Sequence, residues 1–223
     1  MMYRRFFATL GFLCLGLAMV ACSGSDTQGE AQSGSSQAQA VSDEPATVGQ
    51  AAPDFTLTSV AGNEHSLSEF GGKYVVLEWI NFDCPFVKKH YHSGNMPMLQ
   101  EQYRKQGVVW LTICSSAPGK QGNFEGEELT SRIEAENWKG NAYLIDDDGT
   151  VGRLYGAETT PHMYIIDTEG QLVYAGAIDS NPSVKPEDIP ESQNYVVAAF
   201  DNLMAGQQVG TKTTKAYGCS VKY

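Results

Sequence analysis

Five cysteines are the residues of this 223-residue chain best suited to covalent chemistry, and their positions separate them. Cys14 lies inside an apolar N-terminal run and Cys22 at its edge, leaving Cys84, Cys114 and Cys219 for the folded part. Three thiols do not make a disulfide scaffold, since at most one bond forms and at least one thiol stays free or reactive. Cys84 is the candidate nucleophile. It follows the apolar run Lys73–Ile80 and a short polar loop, and Pro85 behind it suits the first turn of a helix. The partial positive charge of a helix N-terminus favours an anion at that place, and Lys88 and Lys89 add charge about one turn further on. Cys114 closes a second apolar run and reads as a small buried hydrophobe. Glu78 lies within the first run, where a carboxylate needs a partner or a proton.

The other polar clusters carry less. His90 and His92 are two apart, so a helix turns them to different faces and they do not form a metal pair. Asp146–Gly149 (DDDG) lacks the alternating ligands and terminal Glu of a calcium loop and reads as a solvated turn.

The elements that must position Cys84 alternate in type. Residues 48–70 show short alternating segments around an Asn/Gly turn, as in a loose strand pair. Lys73–Ile80 and Val108–Ile113 are short, nearly continuous apolar runs, the pattern of buried parallel strands. The stretch from Pro85 to Gln106 is helical in character, with a break expected near Asn95 because Pro97 lies inside it. Helices are expected over Glu125–Trp138, Thr150–Tyr155 and Asn194–Met204, and a strand over Asn141–Ile145. Strands Met163–Ile166 and Leu172–Ala177 flank the hairpin turn Asp167–Gly170. This order predicts an α/β fold with a central mixed sheet and helices on both faces.

The N-terminus adds an address. A basic start, an apolar run of about thirteen residues and small residues before Cys22 form an export signal over residues 1–21. Met19-Val20-Ala21-Cys22 resembles a bacterial lipobox, which makes Cys22 a lipidation site. Residues 22–47 then read as a low-complexity tether and 48–223 as one domain. Ser23 after the Cys suggests the periplasmic face of the outer membrane. The formal charge of −11, −13 once Arg4 and Arg5 leave with the signal, repels phosphate backbones and excludes a nucleic-acid partner.

Three motifs resemble the thioredoxin superfamily, in its peroxiredoxin-like branch of redoxin (alkyl hydroperoxide reductase/thiol-specific antioxidant) domains. They are Asn81-Phe82-Asp83-Cys84-Pro85-Phe86-Val87-Lys88, Thr159-Thr160-Pro161 before the strand His162–Asp167, and the terminal Tyr217-Gly218-Cys219-Ser220-Val221-Lys222-Tyr223. The resemblance implies a thioredoxin-like fold and a cis-proline loop at Pro161. It implies that Thr160 presents its backbone to an extended substrate chain, with Phe86 and His162 beside it and His162 within reach of Cys84. It also implies a role for Glu78 as the buried acid that shuttles a proton to a resolving sulfur. Val87 stands where a Cys-x-x-Cys enzyme has its second cysteine, so local resolution is closed. The Thr or Ser and the Pro that activate peroxide in peroxidase members are replaced by Asn81 and Leu77.

These residues suggest an exported, membrane-tethered thiol–disulfide oxidoreductase of the antioxidant class, acting on protein or small-molecule thiols or disulfides without a cofactor. A thiol peroxidase using Cys84 is the alternative. A binding module of another class is a further one, either redox-inert or holding copper through Cys84, Cys219 and His162 or His92. Cys219 sits in a tail, Thr211–Tyr223, whose Gly210 and Gly218 let it fold back and whose Val221 and Tyr223 are apolar enough to dock. Either that tail brings Cys219 to Cys84 as a distant resolving partner or latch, or it is a buried anchor whose thiol never meets Cys84.

Overall fold

A computed structural model describes residues 44–223. The export signal over 1–21, Cys22 and the tether as far as residue 43 lie outside the described residues.

Strands β1 (Thr56–Ser59), β2 (Glu64–Ser66), β3 (Val75–Trp79), β4 (Val109–Cys114), β5 (Ala142–Ile145), β7 (His162–Ile166) and β8 (Leu172–Gly176) form one sheet in the order β2-β1-β5-β4-β3-β7-β8. β3, β4 and β5 run parallel, while β7 lies antiparallel to β3, so the sheet is mixed as expected. β3 sits between β4 and β7, and all five of its residues are buried, which is why its sequence shows no polar face. Alternate residues of β3 enter two cores: Val76 packs beneath helices α1 (Pro85–His92), α2 (Asn95–Lys105) and α5 (Tyr195–Met204). Val75, Leu77 and Trp79 face the other way, against α4 (Thr150–Leu154) and Phe55. A further helix, α3 (Gly126–Ala135), buries Leu129 in the first core. The hairpin turns at Asp167–Gly170, where the Asp167 side chain accepts from the Gln171 amide at 2.9 Å. Strands β6 (Thr159–Thr160) and β9 (Cys219–Ser220) pair separately as a two-stranded ribbon.

The helical stretch after Pro85 breaks where the sequence predicts. α1 ends at His92, Gly94 takes φ +75°, and α2 begins at Asn95. Pro97 thereby falls in the first turn of α2, where its missing N–H leaves no helical carbonyl unpaired.

Two expectations need correction. The DDDG turn is not wholly solvated: Asp146 is buried, accepting the Ser115 hydroxyl and the amides of Val151 (3.1 Å) and Gly152 (2.8 Å). Only its neighbours face water, and the buried carboxylate fastens the start of α4 to the end of β4. Lys89 does not lend charge to the helix start either. It is buried, with Nζ 3.0 Å from Asp179 Oδ2 and 3.0 Å from the Asn181 carbonyl oxygen, because a lysine removed from water needs fixed acceptors.

Candidate active site

Cys84 caps α1, and Pro85 holds the first helical position behind it. The backbone is pinned at both sides, with Cys84 N–H donating to the Asn81 carbonyl and Lys88 N–H to the Cys84 carbonyl, each at 2.9 Å. Its thiol donates to the carbonyl oxygen of Thr160 at 3.0 Å. That contact joins the first motif to the second across 76 residues of chain. The Thr160–Pro161 peptide bond is cis, as the resemblance implies.

The third motif completes the cluster. Cys219 pairs with Thr160 and Ser220 with Thr159 in antiparallel register, so the tail lies along the cis-proline loop. The Cys219 thiol is pushed up to about 11, first by burial and then by the adjoining Cys84 thiol. Cys219 is half-buried and Cys84 fully so, at 0% exposure, with no disulfide between them. The tail strand therefore sets Cys219 beside the residue that receives the Cys84 thiol. Gly218 makes this approach possible. It takes φ +145°, and a Cβ there would collide with the Thr160 carbonyl, the same group that accepts the Cys84 thiol.

Other expected site residues fall into place unevenly. Phe86 meets the Tyr217 ring of the tail, centroids 5.7 Å apart and nearly edge to face. Val87, at the vacant second-cysteine position, is buried in the core. His162 does not reach toward Cys84. Its ring packs on Tyr164 at 4.5 Å, and its Nδ1 lies 3.2 Å from the Tyr164 hydroxyl. Strand alternation explains this, since His162 and Tyr164 project to one face of β7 and Met163, in the core that holds Cys84, to the other. Burial holds the His162 imidazole down at about 4, so it is neutral at pH 7.

Glu78 is buried and has the partners that its place in an apolar run requires. Its Oε1 accepts the Tyr91 hydroxyl at 2.8 Å. Its Oε2 accepts Trp110 Nε1 at 2.7 Å, Gln100 Nε2 at 3.0 Å and the Thr112 hydroxyl at 3.2 Å. Burial raises this carboxyl, and the four donors draw it partway back. None of these hydrogen bonds goes to a thiol.

Asn81, in the place of a peroxide-activating hydroxyl, spends its side chain on the loop. Nδ2 donates to the Gln121 carbonyl at 3.0 Å and Oδ1 accepts from the Asp83 amide at 2.9 Å. A copper site finds no third ligand: among the described residues no group of three or more His, Cys, Asp or Glu side chains is placed to hold a metal. His92 turns outward to Glu136 at 3.3 Å.

The residues that sequence reasoning missed are Asp179 and Tyr217. The Tyr217 hydroxyl donates to Asp179 Oδ1, and Asp179 Oδ2 takes Lys89. His90 Nε2 stands 3.6 Å from the same oxygen. The only signal for this cluster was the pair of polar residues, Lys89 and His90, on a helix whose other side is core.

The profile described as the AhpC/TSA family matches residues 48–175. The thiol-disulfide oxidoreductase ResA of Geobacillus kaustophilus (strain HTA426) is 31% identical over 128 residues, covering 56% of this chain and 66% of its own length. The chain therefore spans just under two thirds of that relative. Among solved structures, an uncharacterized conserved protein from Geobacillus kaustophilus is 31% identical with a TM-score of 0.66, covering 79% of this chain and 92% of its own. A hypothetical protein from Sinorhizobium meliloti 1021 is 28% identical with a TM-score of 0.63, covering 79% and 94%.

Proposed function

Since the chain belongs to the AhpC/TSA family, we propose that it is an exported, membrane-tethered thiol–disulfide oxidoreductase with Cys84 as nucleophile and Cys219 as its resolving partner. What supports this most is a single contact: the tail strand sets Cys219 against Cys84 at Thr160, although 134 residues separate the two thiols in the chain.

In the reducing direction the Cys84 thiolate attacks one sulfur of a substrate disulfide. That S–S bond breaks, the departing thiolate takes a proton, and Cys84 is left in a mixed disulfide. Cys219 then gives up its proton and attacks the Cys84 sulfur. The second substrate thiolate leaves, and a Cys84–Cys219 disulfide forms. The substrate has gained two electrons and the pair has lost two, which an external dithiol restores. Two of the causes that raise the Cys219 thiol come from Cys84 itself. A Cys84 sulfur held in the mixed disulfide carries no charge to oppose ionisation of Cys219, while the burial that is the larger cause remains.

Thr160 and Pro161 frame the sulfur, and Phe86 lines the approach to it. A peroxidase role has less support, because the place of the activating Thr or Ser hydroxyl is taken by Asn81, whose amide is bonded to the Gln121 carbonyl and the Asp83 amide. The export signal and Cys22 suggest a lipid anchor that holds the domain at the periplasmic face of the outer membrane. A Cys22→Ala protein that kept its acyl label and its membrane fraction would overturn that location.

The test of the reaction uses the full chain and a mixed peptide disulfide. Cys84→Ser should abolish exchange, and Cys219→Ser should accumulate the Cys84 mixed disulfide, visible by mass. A Cys219→Ser protein that turns over like the wild type without such an adduct would sink the pairing.

A further inference from the structure

We propose that the arch Lys215–Ser220 is a gate lying in the groove where Cys84 would meet a polypeptide substrate, and that the buried Lys89–Asp179–Tyr217 cluster is the latch that keeps it closed. This inference rests on the oxidoreductase reading above and adds a regulation to the same site.

The groups that would receive a substrate are already covered by the chain's own tail. The Thr160 backbone pairs with Cys219, and the Phe86 ring is met by Tyr217. The Cys84 sulfur has no exposed surface. The tail also runs antiparallel to Thr159–Thr160, so it sets a cysteine opposite Thr160 as a bound substrate strand would. It therefore competes for the groove as well as supplying a thiol.

The arch is tied down at both ends and in the middle. Upstream, the Thr214 hydroxyl accepts the Ala177 amide at 2.8 Å and lies 2.7 Å from the Tyr174 hydroxyl. Downstream, the Val221 amide donates to the Glu158 carbonyl at 3.0 Å, and the Lys222 carbonyl accepts the Ala117 amide at 2.8 Å. The Tyr223 hydroxyl donates to the Ala157 carbonyl at 2.6 Å, beneath the Arg153 guanidinium. Between those anchors the ribbon is only two residues long on each side, so Tyr217 is the main side-chain tie. Its release frees the middle while both ends stay docked.

The latch suits that task. Burial and the neighbouring Asp179 push the Tyr217 phenol far up, so it remains a donor at any physiological pH. Lys89 holds the other carboxylate oxygen and lies on α1, the helix that begins at Cys84. The nucleophile and one member of the latch thus ride on one helix. A hydrogen bond to a buried carboxylate is among the stronger kinds, and removing one shifts an opening equilibrium about ten- to a hundredfold.

Tyr217→Phe tests this, since it keeps the ring on Phe86 and deletes only the hydroxyl. Reduced full-chain protein is alkylated with iodoacetamide at neutral pH, and Cys84 and Cys114 are followed separately by peptide mass. Cys84 labelling is expected to rise about ten- to a hundredfold with Cys114 unchanged. Backbone amides of residues 217–220 should exchange faster by a similar factor. Unchanged Cys84 labelling and amide exchange would overturn the gate, and so would a parallel rise at Cys114, which signals general loosening. Neither readout requires turnover. Faster Cys84 labelling in a protein that exchanges no disulfides upholds the gate and overturns the oxidoreductase. Disulfide exchange in a protein whose Cys84 protection ignores Tyr217 does the reverse.

Discussion

Cys84 and Cys114 offer a comparison within one fold. Cys84 follows β3 and Cys114 ends the adjacent parallel strand; both are buried, and both thiols donate to a backbone carbonyl, Thr160 at 3.0 Å and Gly122 at 3.4 Å. What differs is the cover. Cys114 ends β4 beneath a loop that the Asn81 side chain fastens to the domain, and burial raises its thiol. Cys84 lies under the arch Lys215–Ser220, which between its anchored ends is held by a two-residue ribbon and one tyrosine hydroxyl. Static burial therefore ranks the two thiols as equals, while the cost of uncovering them separates them. The arch sets only Tyr217 and Cys219 against the core that holds Cys84, whereas the loop over Cys114 is tied by Asn81 to Gln121 and by Asn123 to Ser116 and Asp147.

The largest expected effect reads this difference directly. In the native protein Cys84 should be alkylated at least about a hundredfold faster than Cys114, because local opening costs a few kcal/mol and wider unfolding several more. Peptide-resolved labelling in water and in mild urea measures both. Equal rates in water would make the two covers equivalent and remove the case for Cys84 as the more readily uncovered thiol.

Acid should split the same two regions. His90 packs beside Asp179 and Lys89 near the latch, and His162 lies against Tyr164 and the Glu158 amide next to the cis-proline loop. Burial is the first cause that holds each at about 4, well below the ordinary 6.5. Their folded values lie below the unfolded one, so the stability they contribute is present above about pH 6.5 and lost as pH falls toward about 4. Each shift corresponds to roughly 3 kcal/mol. Hydrogen-exchange protection, corrected for intrinsic rates, should drop in α1 and the β6–β9 ribbon between pH 7 and 4.5 before it drops in β4. Loss of β4 protection first would place the acid-sensitive element elsewhere.

The legibility of these regions in the sequence follows their range. β3 and β4 show themselves through unbroken apolar runs, and Cys84 through the proline that starts its helix, since each signal is local. The break at Gly94 is also local. Lys89, His90 and Gln100 look like solvated helix positions because their partners lie elsewhere in the chain: Asp179 for the first two, Glu78 and the Lys139 amide for the third. Nothing in the irregular stretch around Asp179 marks it as the acceptor. Spacing likewise cannot tell which of Asp146, Asp147 and Asp148 turns inward. The tail was readable because Gly218 and the terminal aromatic residues signal close docking, whereas Tyr217's bond to Asp179 is a tertiary choice.

Glu78 stands between the two regions and gives the smallest effect. It lies on β3 opposite Thr112 of β4 and Met163 of β7, and its carboxyl receives four side-chain donors. A Glu78→Gln amide turns two N–H groups toward a site already crowded with donors. Stability should fall by about 1–3 kcal/mol, the cost of one unsatisfied buried group. Because the hydrogen bonds of Glu78 go to Tyr91, Gln100, Trp110 and Thr112, the change should reach Cys84 and Cys114 alike and leave the ratio of their labelling rates within about threefold. Urea unfolding measures the first quantity and peptide-resolved alkylation the second. The decisive contrast is kinetic: a Glu78→Gln protein of normal stability that resolves the Cys84 mixed disulfide slowly, with the deficit growing as pH falls, would make Glu78 the proton carrier of the Cys219 step. A loss of stability with an unaltered resolving rate assigns it instead to holding β3 and β4 together beneath both thiols.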